Sequence, residues 1–327
     1  MAPSYPYFAN RSFFGAMKET LLLALVFLSA IVLPQPAFAN EPDGQTSRKA
    51  SASFPKPSDR KPIRFEYARG VVVFEVIING REGLALLDSG AGSSSIDLNF
   101  AREAGLTVGA QMTPVRPGVG PALQTLSRYR IDTPTTIVFP GQMTVNAPLP
   151  AMDMGSLSAI LDTPVIMLVG ADFLSNLAVQ VDFRQGALQF APSGALALPD
   201  RQSFVDLTDA HRQLTVKIGD RPFGLAIDLG FNGWISLNAN RWKEIEKAGT
   251  VRSRNTKNAS GESFSTKSAH MHRIDVGQFP VWNLEVEEEF RASDKRDGVV
   301  GMGFMRKFDA FILDLKARKL WLQPRAD

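Results

Sequence analysis

The 327-residue chain contains no cysteine. Disulfide bridges, thiolate nucleophiles and cysteine-ligated zinc sites are therefore all excluded. A sequence without cysteine is compatible with an oxidising compartment, although it does not require one. Any catalytic role has to be filled by side chains of another type.

An excess of charge of one sign is also missing. Lys and Arg number 36 against 33 Asp and Glu, which gives a net charge of only +3. No arginine-rich run is present, so we expect no binding to nucleic acid. Histidine is scarce as well: His270 and His272 would share one face of a strand, but two imidazoles without a nearby third ligand seldom form a metal site. We therefore expect neither a metal nor a cofactor.

Long apolar runs are absent beyond the N-terminus. The apolar run at 21–33 follows two basic residues and is too short to span a bilayer comfortably as a helix. The small residues of Ala37-Phe38-Ala39 then form a cleavage site. We predict a signal peptide at 1–39, a mature start near Asn40, export to the periplasm and no membrane contact afterwards. The alternative is an uncleaved N-terminal membrane anchor that faces the periplasm.

The remaining chain divides by composition. Residues 40–62 are rich in Ser, Pro, Lys, Asp and Gly, which predicts a disordered linker. Strand patterns begin at Ile63, and a segment with Pro and Gly at 191–200 separates two halves. We predict an N-terminal lobe at 63–192 and a C-terminal lobe at 203–325. Short strands with many turn residues indicate that both lobes are mostly β.

The two halves repeat the same landmarks in the same order, which indicates duplication of one folding unit. The landmarks are an apolar strand running into an Asp turn (84–90 and 225–230), an apolar pair closing on Gly170 or Gly301, and a hairpin-like segment (181–188 and 313–320). We therefore predict two tandem, closed β-barrel-like lobes related by a pseudo-two-fold axis.

Short-range signals predict several elements within each lobe. Asn79-Gly80 and Gly219-Asp220 are two-residue hairpin signals. Helices are expected from about 98 to 104, capped by Asp97, and from about 239 to 248. The acidic run at 285–289 is most simply a charged strand or loop edge.

A pseudo-two-fold arrangement would bring Asp88 and Asp228 together. Two carboxylates held close cannot both ionise cheaply, so they share one proton and can act as base and acid together. Gly90 and Gly230 would permit close approach of the two turns, and the Ser89 hydroxyl could hold the opposing turn. The titration would belong to the pair, so the two aspartates receive no separate roles.

The sequence Leu86-Leu87-Asp88-Ser89-Gly90-Ala91 resembles the active-site turn of retropepsin-like aspartic proteases, which reads apolar-apolar-Asp-Thr/Ser-Gly-Ala. Residues 169–174 resemble the later apolar-Gly-x-Asp/Asn-Phe-Leu segment of that family. The resemblance implies that Asp88 and Asp228 are catalytic, that Ser89, Gly90, Ala91 and Gly230 support the turns, and that the substrate is a peptide or protein. It also implies a flap over each lobe, with tips at 117–121 and 259–263.

The C-terminal lobe departs from the family pattern, because Leu229 stands where the second hydroxyl residue would be. Three functions therefore remain open. The first is an aspartic endopeptidase with both lobes in one chain. The second is a protease active only as a homodimer that pairs Asp88 from two chains. The third is a catalytically degenerate periplasmic protein that binds peptides or acts as a scaffold. Contact between the Asp88 and Asp228 carboxyl groups would favour the first.

Overall fold

The computed structural model describes residues 24–26, 51–115, 125–196, 204–208, 212–248, 250–258, 263–289 and 296–325. The predicted cleavage site at 37–39 lies outside these ranges. The predicted flap tip at 117–121 does too, as do residues 259–262 of the second tip. Among the described residues, no helix combines the length and the apolar character needed to cross a membrane.

The N-terminal lobe contains short strands and three short helices, and it follows a three-residue strand, β1, at Ala24–Val26. Its strands are β2 Ser51–Ser53, β3 Ile63–Ala68, β4 Val71–Ile78, β5 Arg81–Leu87, β6 Ser95–Asp97, β7 Val108–Val115, β8 Leu126–Ile131, β9 Thr136–Phe139, β10 Met143–Asn146, β11 Pro150–Met152, β12 Met167–Val169, β13 Leu177–Asp182 and β14 Ala187–Pro192. Its helices are α1 Leu98–Glu103, α2 Gly155–Leu161 and α3 Ala171–Leu174.

The C-terminal lobe repeats this order with fewer elements. Its strands are β15 Phe204–Asp206, β16 Leu214–Ile218, β17 Arg221–Asp228, β18 Ile235–Asn238, β19 Val251–Asn258, β20 Ser263–Val276, β21 Phe279–Glu289, β22 Gly298–Gly301, β23 Phe308–Asp314 and β24 Lys319–Pro324. Its helices are α4 Ala239–Trp242 and α5 Met302–Met305. The predicted mostly-β class is confirmed.

Both lobes share one strand topology. In the N-terminal lobe the order β4-β5-β12-β6-β11 places β12 parallel to β5 and antiparallel to β6. In the C-terminal lobe the order β16-β17-β22-β18-β21 places β22 parallel to β17 and antiparallel to β18. Pairing of β20 with both β16 and β21 closes this second set into a six-stranded barrel. The predicted tandem repeat of one folding unit is therefore present.

A sheet formed by both halves reveals the pseudo-two-fold axis. Its order is β15-β24-β23-β13-β14-β3, so β13 and β23 pair at its centre. In that pairing Asp182 lies opposite Ala310, and Ala178 lies opposite Asp314. A two-fold rotation that exchanges Asp182 with Asp314 also exchanges Ala178 with Ala310. The pairing between the two strands is therefore the same before and after the rotation. The axis therefore passes between the strands at Gln180 and Ile312, which face each other.

The short-range signals give the elements they predict. Asn79 and Gly80 have positive φ values of 47° and 81° and join β4 to β5 as a tight hairpin. The Asp97 carboxylate caps α1 by accepting from the Phe100 N–H at 2.8 Å. Asn238 caps α4 in the same way. The predicted second helix is divided, because α4 ends at Trp242 and a separate 3-10 turn follows at Glu246–Ala248.

Part of the segment whose composition predicts a disordered linker carries regular structure. Strand β2 pairs antiparallel with β10, and a 3-10 turn follows at Pro57–Asp59. The Lys61 N–H then donates to the Gly141 carbonyl at 3.0 Å. This segment buries almost no side chain, so backbone pairing to the edge of the lobe orders it. The amino-acid composition of a segment does not indicate such backbone pairing.

Candidate active site

The two aspartates occupy equivalent turns. Asp88 directly follows β5, and its Oδ1 accepts hydrogen bonds from the N–H groups of Gly90 at 2.9 Å and Ala91 at 3.0 Å. Asp228 ends β17, and its Oδ1 accepts from Gly230 and Phe231, both at 3.1 Å. Each carboxyl group is therefore held through one oxygen by two backbone donors, which leaves Oδ2 available for chemistry.

Each turn packs its glycine against the carboxyl group of the other turn. A Cβ atom added to Gly90 would lie 2.3 Å from the Asp228 Cγ, and one added to Gly230 would lie 2.4 Å from the Asp88 Cγ. Real Cβ atoms do not approach other atoms so closely, so only glycine fits at both positions. The structure therefore brings Asp88 and Asp228 of one chain together, and both side chains are buried.

The electrostatics of this pair follow from burial and proximity. Burial raises the pKa of Asp88 well above its usual value, and the neighbouring Asp228 charge raises that pKa further. Burial also raises the pKa of Asp228, to about 6, while the Arg296 charge and the hydrogen bonds it accepts oppose that rise.

Neither Oδ2 has a donor from the backbone or from another described side chain. Two carboxylates cannot donate to each other, so a hydrogen bond between them requires one shared proton. One proton shared between the two carboxyl groups would therefore give each Oδ2 a partner.

A single hydroxyl joins the two turns. The Ser89 Oγ donates to the Ile227 carbonyl at 2.7 Å and accepts from the Leu229 N–H at 3.0 Å. The Leu229 side chain is fully buried in the main apolar core and offers no counterpart. The linkage predicted for Ser89 is therefore present, and the link across the axis comes from one side only.

A second layer holds each turn in place. The Ser94 Oγ donates to the Asp172 Oδ1 at 2.7 Å and accepts from the Gly170 N–H at 2.9 Å. The Ala91 carbonyl accepts from the Ala171 N–H at 2.7 Å, so the start of α3 is bonded to the Asp88 turn. In the C-terminal lobe the Phe231 carbonyl accepts from Met302 at the start of α5, at 2.6 Å. The two downstream Gly segments therefore lie behind the two turns.

A partly buried charged cluster lies behind the C-terminal turn, where the sequence predicted a charged strand or loop edge. It consists of Arg254, Arg296, Glu285, Glu287 and Glu289. Arg254 contacts Glu285 at 3.1 Å and Glu287 at 3.4 Å, and Arg296 contacts Glu289 at 3.2 Å. Burial raises the pKa of Glu287 to about 7, although the Arg254 charge opposes this.

The alternation of Glu285, Glu287 and Glu289 along β21 was the available signal for this cluster, because residues two apart in a strand share a face. Their burial could not be read from the sequence, since it depends on partners from other strands. Glu287 also packs against the loop that follows Asp228, because its Oε1 lies 3.1 Å from where a Cβ of Gly233 would be.

Hairpins project from both lobes at the positions expected for flaps. β7 pairs with β8 in the N-terminal lobe, and β19 pairs with β20 in the C-terminal lobe. These strands flank the two predicted flap tips, which themselves lie mostly outside the described residues. Within the described ranges, no three His, Asp or Glu residues are grouped to hold a metal ion. The His272 ring instead contacts Trp282, with ring centroids 5.1 Å apart.

Comparison with known proteins adds one structural likeness. No protein-family model matches the chain, and no curated protein matches its sequence. Among solved structures, the chain is similar to a retropepsin-like aspartic protease from Rickettsia conorii, at 13% identity and a TM-score of 0.27. The match covers 36% of this chain and 86% of that one. A TM-score this low carries no argument of its own, and the fold class follows from the strand order and register.

Proposed function

We propose that the protein is an aspartic endopeptidase whose Asp88 and Asp228 act as one catalytic pair within a single chain. The reciprocal packing of Gly90 on Asp228 and of Gly230 on Asp88 carries this proposal. It supports the intrachain pair over a homodimer that joins Asp88 from two chains, because the position facing Asp88 is already filled by Asp228.

The chemistry follows from one shared proton. The ionised carboxylate takes a proton from a water molecule as the water oxygen attacks the peptide carbonyl carbon. The protonated carboxyl group donates its proton to the carbonyl oxygen, which gives a neutral gem-diol. The proton gained from water then passes to the amide nitrogen, and one gem-diol hydroxyl returns its proton to the other carboxylate. The C–N bond breaks to release an acid and an amine, and the pair again holds one proton. Backbone donors on each Oδ1 keep both carboxyl groups oriented throughout.

The remaining parts of the proposal concern location and substrate. The substrate class is a peptide or protein, bound beneath the two hairpins in extended form. The protein is exported, with residues 1–39 removed, since a short apolar run precedes a small-x-small site. N-terminal sequencing of the protein from its native compartment should start near Asn40, and an intact Met1 in a membrane fraction would contradict cleavage.

A peptide-library digest tests the catalytic pair. Asp88→Asn and Asp228→Asn should each lower kcat by at least about a thousandfold, and the double variant should be no worse than either single variant. Asp220→Asn is the matched control, because Asp220 is exposed at a hairpin turn. Rate per chain should not change on dilution. Cleavage that survives Asp228→Asn but falls on dilution would support the homodimer. A wild type without any cleavage would favour the peptide-binding or scaffolding protein, which the missing hydroxyl at Leu229 also permits.

A further inference from the structure

Three cations lie close together in the C-terminal lobe, just after α5 and β24. We call Arg306, Lys307, Arg325 and the neighbouring Tyr67 the basic corner. Arg306 and Lys307 follow α5, and Arg325 follows β24. Tyr67 belongs to β3 of the other lobe, and it is one of the few large apolar side chains that the structure exposes.

The geometry holds these groups close together. The Arg306 guanidinium lies 4.6 Å from the Tyr67 ring centroid, and the Lys307 Nζ lies 4.4 Å from the Trp234 ring centroid. Arg325 donates through Nη2 to the Arg306 carbonyl. The positive charges therefore lie against neighbouring backbone and aromatic groups, and Arg306 and Arg325 are exposed.

The pKa values of Lys307 and Tyr67 show the effect of the neighbouring positive charges. Partial burial and the Arg325 charge both lower the pKa of Lys307. Burial raises the pKa of Tyr67 to about 12, and the charges of Arg306 and Arg325 oppose that rise, so both cations act on its hydroxyl. Like charges gathered in this way cost free energy unless an anion accompanies them.

No acidic side chain of the described ranges supplies that anion. None of the charged nitrogens of Arg306, Lys307 and Arg325 lies within 4.0 Å of a described carboxylate. The nearest acid in sequence, Asp309, faces Arg184 instead, at 3.6 Å.

The fold itself does not require these cations. The two-fold relation that makes Gly170 equivalent to Gly301 also makes Asp182 equivalent to Asp314. By the same relation, the N-terminal-lobe positions equivalent to Arg306, Lys307 and Arg325 are Ser175, Asn176 and Ser193. The equivalent corner of the N-terminal lobe is thus built from neutral residues on the same backbone. The positive charge at this corner is a property of the C-terminal lobe alone.

We propose that the basic corner binds a phosphate group, as free phosphate or as part of a lipid headgroup. Two guanidinium forks match the geometry of a tetrahedral oxyanion, and the Lys307 ammonium and the Tyr67 hydroxyl add further donors. The site is independent of the catalytic pair and predicts no change in peptide cleavage.

Calorimetric titration of the purified full-length protein with inorganic phosphate, in low-salt buffer, tests the site. Wild type should bind phosphate saturably. Replacement by the residues of the neutral corner, Arg306→Ser with Lys307→Asn, should weaken binding by at least about tenfold, since charge-assisted bonds are lost. Lys316→Ser is the matched control, because Lys316 is an exposed cation on the turn between β23 and β24. Equal binding by all three proteins, or none by wild type, would overturn the proposal.

Two further experiments distinguish a lipid headgroup from free phosphate as the bound anion. Co-sedimentation with phosphatidylglycerol vesicles, but not with phosphatidylcholine vesicles, would identify a lipid headgroup, provided that the neutral-corner variant fails to sediment. Phosphate binding without vesicle binding would identify the free anion. Asp327→Asn removes the side-chain carboxylate of Asp327 without placing a new one on Arg325. If phosphate binds only to that variant, the Asp327 side chain is the partner, and the proposal is wrong.

Discussion

At the scale of single residues, the two Asp turns differ most in the side chain that follows each aspartate. Ser89 reaches across the axis with a donor and an acceptor, while Leu229 points into the core. Both hydrogen bonds between the turns therefore depend on one oxygen atom. This asymmetry is visible in the sequence, but the partners of Ser89 are residues 138 and 140 positions away, and only the fold brings them together.

Ser89→Ala should destabilise the protein by about 2–3 kcal/mol, because it leaves the buried Ile227 carbonyl and the Leu229 N–H without their partner. It should also lower kcat, since the relative position of the two carboxyl groups is no longer fixed. Urea unfolding and peptide cleavage measure the two effects. Ser253→Ala, at an exposed position, should behave as wild type. Unchanged stability of Ser89→Ala would show that the turns are held by other contacts.

Leu229→Ser tests the missing half of this link. The new hydroxyl would take the position equivalent to Ser89, so cleavage activity should stay similar or rise. Stability should fall by about 2–4 kcal/mol, because a fully buried leucine leaves the core. Steady-state kinetics and urea unfolding separate these outcomes. A large loss of kcat in a protein that remains folded would show that Leu229 itself shapes the active site.

At the scale of elements, signals between residues close in sequence predicted individual turns and caps, whereas elements ordered by a distant strand were missed. The turn at Asn79-Gly80 and the cap at Asp97 depend on residues close in sequence, and both were predicted. Helix α2 was not predicted, because it lacks a side-chain cap and owes its place to apolar packing behind β12. The ordered β2 and the buried charges on β21 were missed for the same reason, since each depends on a distant strand.

The charged face of β21 gives a prediction at this scale. Arg254→Met removes the cation shared by Glu285 and Glu287, and at about pH 8 it should destabilise the protein by about 3–5 kcal/mol. The loss should shrink below about pH 7, where Glu287 gains a proton. Adding Glu287→Gln should restore part of the stability, because no buried charge then lacks a partner at that position.

Arg252→Met is the control, because Arg252 is exposed on the same strand. Guanidinium unfolding at the two pH values measures all of these variants. An equal loss for Arg252→Met and Arg254→Met would mean that strand β19, and not the ion pair, sets the stability.

At the scale of the whole molecule, Asp88 and Asp228 contribute to the pH dependence of stability. The pKa values of Asp88 and Asp228 are raised in the folded state above the ordinary value of 3.8. Their contribution is fully present below about pH 4 and is lost as pH rises through the folded-state pKa, which is about 6 for Asp228. The aspartates therefore make the protein less stable at neutral pH than in mild acid.

Asp88→Asn with Asp228→Asn should flatten this dependence, because the pair then no longer titrates. At about pH 8 the double variant should be more stable than wild type by on the order of 3 kcal/mol, since one unit of pKa shift corresponds to about 1.4 kcal/mol. Urea unfolding across the pH range measures this. The exposed Asp220→Asn should follow wild type. A double variant with an undiminished pH dependence would show that other groups control it.

The strand pairing at the centre of the shared sheet also has a consequence for how the sequence of this protein can evolve. Gln180 faces Ile312 across the pseudo-two-fold axis, where a true homodimer would place two copies of one residue. In a homodimer every mutation appears twice, so a hydroxyl lost from one turn is lost from both, and a charge gained on one face repels its own twin. A fused duplicate is released from that constraint. Its halves can specialise separately, one retaining the serine that ties the turns together while the other acquires leucine, buried ion pairs and a cationic surface.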